Sequence, residues 1–175
     1  IANCGFYAVA LLVGGDYQFY HTTVANYWGN YSTKARSTSS LVISNVLIVP
    51  DSKGGSVTYS GDLENATFGN SIIFGNNIQE IELGDNGKNK FNFLFENCII
   101  QAADTFNISN KEHYQNIWKG QKYDPLFIDP YKDYIYELDT LSPAKDAGKI
   151  EIGELYQYDL LNKDRTTDKG PDRGL

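Results

Sequence analysis

The chain has 175 residues, of which 41% are hydrophobic and 21% charged, a balance typical of a folded protein and not of a disordered one. Its net charge of −7 argues against a nucleic-acid partner, because affinity for nucleic acids comes largely from Lys and Arg that neutralise phosphates. The longest apolar run, from Phe6 to Val13, is far shorter than the roughly 18 to 20 residues of a membrane-spanning helix. We therefore expect no membrane span.

An internal repeat is the most informative feature of the sequence. Four six-residue segments align without gaps, and a partial fifth copy precedes them: Phe19–Val24, Ile43–Ile48, Phe68–Ile73, Phe95–Ile100 and Ile1–Cys4. Their third positions are Asn3, His21, Asn45, Asn70 and Asn97, separated by 18, 24, 25 and 27 residues. A repeat of about 20 to 50 residues is typical of a solenoid. The repeat predicts a right-handed parallel β-helix with one coil per copy, and a β-sandwich is the competing fold.

Side-chain alternation within each copy predicts columns that run through the stacked coils. The first positions would form one interior column, and the fifth positions a second. These columns are Ile1, Phe19, Ile43, Phe68 and Phe95, and then Thr23, Leu47, Ile72 and Ile99. The third positions are expected to form an asparagine ladder near a turn, with ordinary turn chemistry as the alternative explanation.

The pattern ends after Gln101. Ser109–Glu112 has the form of a capping box and predicts a short helix that ends at Gly120. The Asp-Pro turns that follow suggest an irregular cover for the exposed strand edges of the last coil. The predicted organisation is therefore all-β, with parallel β-helix coils over residues 1–104, a helical excursion over 105–120 and a C-terminal cap over 121–175.

The C-terminal part also resembles a known family. The motifs that carry the resemblance are Asp124–Pro130, Leu141–Gly148, Asp164-Arg165 and Gly170–Gly174. Together they resemble the C-terminal signature of bacterial parallel β-helix repeat proteins of the pectate-lyase-like superfamily, particularly surface proteins of Gram-negative gut anaerobes. The resemblance implies a secreted or cell-surface protein of the outer membrane or periplasm, with relatives that cleave or bind polysaccharides.

No pattern of catalytic residues is evident. A lyase of this fold would need carboxylates for calcium and a basic residue, and a hydrolase would need neighbouring acids. Glu96 is the one charged residue at the outward positions of the repeat. The acidic residues Asp124, Asp129 and Asp146 are interpreted as turn-forming, and the tail from Asp159 to Asp172 lacks the spacing of a metal loop. We predict no catalytic residue, metal ligand or cofactor, and we expect Cys4 and Cys98 to be free thiols.

A cluster of aromatic residues provides the candidate ligand site. It consists of Tyr17, Tyr20, Tyr27, Trp28 and Tyr31. Aromatic rings can stack on sugar faces, although covering the core is a competing role for them. The predicted function is a non-catalytic secreted or cell-surface module that binds polysaccharide. The alternative is a fragment of a polysaccharide lyase or glycoside hydrolase whose active face lies on missing or unregistered coils.

The N-terminal end is expected to be an interface, since Ile1 already matches the repeat and the sequence contains no methionine. The expected cover is either upstream coils of the same protein or a second molecule stacked end to end.

Overall fold

The chain forms a mostly β structure with three parallel sheets around one interior. The computed structural model describes residues 1–29, 35–167 and 169–174. Sheet 1 contains β1 (Val9–Leu11), β4 (Leu41–Ser44) and β9 (Ile81–Gly84). Sheet 2 contains β2 (Gly15–Tyr20), β7 (Leu63–Gly69), β10 (Leu94–Glu96) and β12 (Tyr114–Gln115). Sheet 3 contains β3 (Thr23–Asn26), β8 (Ile72–Gly75), β11 (Ile99–Ile100) and β13 (Trp118–Lys119).

The chain visits the three sheets in the same order each time. β1, β2 and β3 lie in sheets 1, 2 and 3, and the next visits are made by β4, β7 and β8 and then by β9, β10 and β11. β12 and β13 add the last strands to sheets 2 and 3. All strand pairs within these sheets are parallel, and the side chains that point inward from the three sheets form one shared core.

The remaining elements lie outside the three sheets. An antiparallel hairpin of β5 (Val46–Pro50) and β6 (Ser56–Ser60) is inserted between β4 and β7. Residues 121–174, called here the C-terminal segment, contain the antiparallel pair β14 (Phe127–Asp129) and β15 (Ile135–Leu138). The segment also contains a 3-10 helix (Gln121–Tyr123) and α1 (Ile150–Leu155).

The predicted aromatic column is confirmed for its three phenylalanines. In sheet 2, Phe19 pairs with Phe68 and Phe68 pairs with Phe95, with ring centroids 4.7 and 5.0 Å apart. Tyr114 extends the stack, with its ring centroid 5.9 Å from that of Phe95. Phe68 and Phe95 are fully buried, so the column is a central part of the shared core.

Three members of the predicted columns were assigned wrongly. Ile43 lies in sheet 1, Leu47 lies in the β5–β6 hairpin, and Ile1 is 55% exposed. The rest of the second column is correct in register, since Thr23, Ile72 and Ile99 are aligned in sheet 3, but it is not interior: Ile72 and Ile99 point away from the shared core. The residue after Ile1 pairs with Ala25, which also places the first copy beside sheet 3 and not in sheet 2.

The predicted polar row exists in part, at the corner between sheets 2 and 3. Its members are His21, Asn70, Asn97 and Asn116, with φ of 47°, 46°, 53° and 51°. Asn tolerates this left-handed conformation better than most residues, which explains its recurrence. Asn70 Nδ2 lies 3.4 Å from His21 Nε2, and Asn116 donates to Asn97 Oδ1 at 2.6 Å. Asn3 and Asn45 lie elsewhere and bond to Tyr27 and Asp85.

The helix predicted within residues 105–120 is wrong. The N–H groups of His113 and Tyr114 donate to the carbonyl of Asn110 in a turn, and β12 and β13 follow directly. Tyr114–Lys119 is in fact a further copy of the repeat, with Asn116 at its third position. The Asn110 side chain accepts a hydrogen bond from the N–H of Glu112. The residues that resembled the start of a helix therefore form a turn.

The C-terminal segment, which was predicted to cap the last coil, lies along the outer face of sheet 3, and its two strands pair with each other and not with the end strands β12 and β13. Phe127 and Ala144 from the segment form a second core with residues that point outward from sheet 3. These residues are Ala25, Tyr27, Ile72, Phe74 and Ile99. Because they belong to or adjoin β3, β8 and β11, the segment covers successive strands of one face.

Two buried polar side chains anchor the segment. Asn70 donates to the carbonyl of Lys149 at 3.0 Å and accepts from the N–H of the same residue at 2.7 Å. Arg173 is 1% exposed, and its Nη1 donates to the carbonyl of Cys98 at 3.2 Å. The Arg173 guanidinium also lies 3.8 Å from the centroid of the Trp118 ring. These contacts attach the end of the chain to the corner between sheets 2 and 3.

Candidate functional site

The structure separates the aromatic residues that the sequence suggested as one ligand site. Tyr17 packs against the shared core, and its hydroxyl donates to the carbonyl of Gly14 at 2.9 Å. Tyr20 points to the opposite face of sheet 2, where its ring stacks on that of Tyr156 with centroids 5.1 Å apart. These two side chains therefore do not share a binding surface.

The other members of that group also lie in different surroundings. Tyr27 is buried between sheet 3 and the C-terminal segment. The Trp28 ring is 38% exposed and lies against Gly5. Tyr31 falls outside the described residues. Tyr27 lines a cleft that combines aromatic, apolar and acidic groups.

This aromatic cleft, of about 290 Å³, lies where β14 and its flanking turns meet Tyr27. Its lining includes Tyr27, Asp124, Leu126, Ile128, Asp129 and Tyr131. Leu126 and Ile128 are exposed, so the cleft presents an apolar wall to solvent. Concave sites with an apolar lining and a few polar groups are the usual form of small-ligand sites.

Tyr131 is the exposed ring of the cleft. Its ring centroid is 5.1 Å from that of Tyr27 at an interplanar angle of 82°, an edge-to-face contact. Tyr27 is in turn held by Phe127, with ring centroids 6.2 Å apart, and by Tyr136, with centroids 6.3 Å apart. Tyr131 remains 49% exposed, so a buried aromatic cluster supports a ring that is still open to solvent.

Two carboxylates flank Tyr131, and both form turns, as their Asp-Pro sequences predicted. Asp124 Oδ1 accepts from the N–H of Leu126 at 2.8 Å. Asp129 Oδ1 accepts from the N–H of Lys132 at 2.8 Å, which lowers the pKa of the Asp129 carboxyl. Burial and the charge of Asp124 raise the pKa of Tyr131, so its hydroxyl stays protonated. The cleft thus carries negative charge beside a neutral aromatic ring.

Among the described residues, no N–H group donates to the Asp146 carboxylate to form its predicted turn bond. Its N–H donates to Asp172 Oδ1 at 2.8 Å, and Asp146 itself has a φ of 54°. The carboxylate that fixes this turn is therefore Asp172, contributed from later in the chain. The tail also contains turns of the predicted kind, since Asp159 and Asp164 accept from nearby N–H groups.

Glu96, the one charged residue in the predicted outward rows, is paired. Its Oε1 accepts from Lys149 Nζ at 2.6 Å, so the C-terminal segment occupies this position of sheet 2. Cys4 and Cys98 are both free, and burial raises the pKa of the Cys98 thiol to about 12. Within the described ranges, no group of three or more His, Cys, Asp or Glu residues is arranged to hold a metal ion.

A second cleft, of about 410 Å³, lies within the C-terminal segment. It is lined by Glu137, Lys145, Asp159, Leu160, Lys163 and Asp172 among others. Lysines and carboxylates are mixed along it, and none of its lining residues is aromatic. The aromatic cleft therefore has the more selective combination of groups.

No protein-family model, curated protein or solved structure matches the chain. In the part of the chain that the structure describes, no helix is both long and apolar enough to cross a membrane. The resemblance to pectate-lyase-like proteins stays a prediction.

Sequence reasoning missed Tyr131 as the exposed ring. The signal was its position, directly after Asp129-Pro130, where an Asp-Pro turn exposes the residues that follow. The repeat favoured the aromatic residues near β2 and β3, where most of the rings are needed for packing.

Proposed function

We propose that the three sheets are the faces of a right-handed parallel β-helix of the pectate-lyase-like kind. The fixed order in which the chain visits sheets 1, 2 and 3 supports this proposal. Parallel strands joined by crossovers are almost always connected with right-handed geometry. The stacked ring column of Phe19, Phe68 and Phe95 is the regular interior that such a solenoid requires.

We propose that the protein is a non-catalytic, secreted or cell-surface module that binds polysaccharide through the aromatic cleft. One observation carries the proposal: the Tyr131 ring is half exposed and is fixed from behind by Tyr27. A ring fixed in this way loses little conformational entropy when a sugar stacks on it. The apolar wall of Leu126 and Ile128 would face the C–H groups of the sugar.

The carboxylates of the cleft indicate the class of glycan. Asp124 and Asp129 can accept hydrogen bonds from sugar hydroxyls but would repel a polyuronate. The net charge of −7 adds to this repulsion at low ionic strength. We therefore propose a neutral polysaccharide as the ligand. The proposed location at the surface of a Gram-negative cell is supported only by the resemblance of the C-terminal motifs.

The test is a binding screen against neutral and acidic polysaccharides, followed by titration of the neutral glycan that binds best. Tyr131→Ala should weaken that binding at least about tenfold, equivalent to about 1.4 kcal/mol. Tyr158→Ala is the matched control, because Tyr158 is 58% exposed but does not line the cleft. Equal loss of affinity in both variants, or preferential binding of acidic glycans, would contradict the proposal.

The same samples can decide between a binding module and a lyase or hydrolase fragment. Incubation with each bound polysaccharide should release neither new reducing ends nor unsaturated products. Release of either product that disappears in the Tyr131→Ala variant would identify the cleft as catalytic.

A further inference from the structure

In the described part of residues 1–120, called here the parallel-sheet region, the β5–β6 hairpin contains the longest exposed stretch. All five residues of β6 are exposed, as are Ile48, Val49 and Pro50 of β5. Within the described residues, the two strands form a two-stranded sheet of their own, and no further strand borders its outer edges. Two-stranded hairpins are marginally stable in water unless another strand or a packing surface joins them.

One face of the hairpin is apolar. The cross-strand pairs on this face are Leu47 with Tyr59 and Val49 with Val57. Neither β5 nor β6 contains a charged residue. Edge strands in natural proteins are usually protected by charges, proline or a cover. Pro50 at the end of β5 is such a device, whereas β6 has none.

The sequence of β6 is self-complementary about its centre. Ser56-Val57-Thr58-Tyr59-Ser60 reads as the same pattern of small, apolar, Thr, apolar and small residues in both directions. A two-fold axis at Thr58 would therefore pair Ser with Ser, Val with Tyr and Thr with Thr between antiparallel strands. Pairs of β-branched with aromatic residues and of Thr with Thr are among the favourable cross-strand pairs.

We propose that β6 of one molecule pairs with β6 of a second copy, centred on Thr58, to form a four-stranded antiparallel sheet. The pairing is isologous, as most homodimer contacts are. Val57 and Tyr59 of both copies then continue one apolar face across the axis, together with Leu47 and Val49. Because the strands carry no charge, no like charges oppose each other at the axis.

Disulfide trapping tests this register directly, in a Cys4→Ser background that leaves the buried Cys98 unchanged. In the proposed dimer the two Thr58 residues face each other, with Cβ atoms about 5 Å apart. A Thr58→Cys variant should therefore form a covalent dimer quickly under mild oxidation. Ser56→Cys is the matched control, since the two Ser56 positions would be four residues apart along the strands, or about 13 Å.

Sedimentation equilibrium measures the dissociation constant of the dimer without cross-linking. The unmodified chain should show a reversible monomer–dimer equilibrium, and Thr58→Lys should raise its dissociation constant at least about tenfold by opposing two ammonium groups at the axis. Ser109→Lys adds the same charge at another exposed position and should leave the equilibrium unchanged.

Three results would overturn the proposal. The first is a monomer at concentrations up to roughly 1 mM. The second is equal cross-linking of Thr58→Cys and Ser56→Cys. The third is a dimer that tolerates Thr58→Lys, which would place the contact elsewhere, as end-to-end stacking of the sheets would. The glycan titration of Tyr131→Ala is independent of all three, because Tyr131 lies in the C-terminal segment.

Discussion

The parallel-sheet region and the C-terminal segment are held by different kinds of contact. In the sheets, the same side-chain type recurs from strand to strand, as in the stacked rings of Phe19, Phe68 and Phe95. The segment is held by single residues that occur once, such as Arg173 with its carbonyl partners. Regular contacts spread stability over many strands, whereas the segment is attached by one small apolar core and a few single hydrogen bonds.

This difference predicts different responses to substitution. Loss of a ring from the column should destabilise the whole domain, because the shared core joins all three sheets. Loss of an anchor should first release the segment from the outer face of sheet 3. Three variants, ordered by expected effect, test this distinction.

The largest effect is expected for Phe68→Ala. Phe68 is fully buried and stacks on Phe19 and Phe95 on either side, so its removal leaves a cavity in the middle of the column. The expected loss in the free energy of unfolding is about 3 to 5 kcal/mol, measured by urea denaturation. Phe6→Ala removes an exposed ring and should cost far less. A loss below about 1 kcal/mol for Phe68→Ala would show that the column is not the main core.

The phenylalanine column could be predicted from the sequence because its residues are of one type and share one register in the repeat. The sequence did not reveal in which sheet each copy of the repeat lies. Ile43 lies almost midway between Phe19 and Phe68, at 24 and 25 residues, and therefore seemed to be an intervening coil. The real interval contains β4 of sheet 1 and the β5–β6 hairpin, and Ile43 faces the same core from sheet 1. Alternation of apolar residues is the same in all three sheets, so it cannot distinguish them.

The candidate site was less predictable than the fold. The turns at Asp124 and Asp129 follow from local chemistry, and the sequence predicted them. The position of Tyr131 against Tyr27 depends on how the C-terminal segment lies on sheet 3. That contact joins residues about a hundred positions apart, and no local pattern specifies it.

The second effect concerns pH and the junction of the two regions. His21 is buried at the corner beneath the segment, and burial, together with the charge of Arg165, lowers its pKa from 6.5 to about 4. The imidazole is therefore neutral in the folded state, and protonation favours the unfolded chain. The contribution of His21 to the free energy of unfolding is complete above pH 6.5. As the pH falls toward 4, the free energy of unfolding should decrease by about 3 kcal/mol for this reason.

His21→Asn is the matched control, because Asn occupies the same left-handed position at Asn70, Asn97 and Asn116. The variant should fold and should lose the part of the pH dependence that His21 causes. Denaturation curves at pH 7 and pH 4 for both proteins measure this difference. Equal losses of stability in the two proteins would mean that His21 is not the group responsible.

The smallest effect is expected for Arg173→Lys. The guanidinium donates to the carbonyls of Ala147 and Cys98, at 2.8 and 3.2 Å, and an ammonium group cannot reproduce this forked geometry. Leaving a buried carbonyl unpaired should cost about 2 kcal/mol. Arg165→Lys, at a less buried position of the same segment, should cost less than about 0.5 kcal/mol.

The location of the Arg173 effect matters more than its size. If the segment is attached by a few anchors, hydrogen exchange in Arg173→Lys should rise for residues 121–174 while amides of β7 and β10 remain protected. The Asn70 contacts with Lys149 would then hold the nearer part of the segment, so exchange should increase most toward Gly174. A uniform increase across sheets 2 and 3 would show that segment and sheets unfold as one cooperative unit. In that case, the covered face of sheet 3 depends on Arg173 as much as on its own apolar residues.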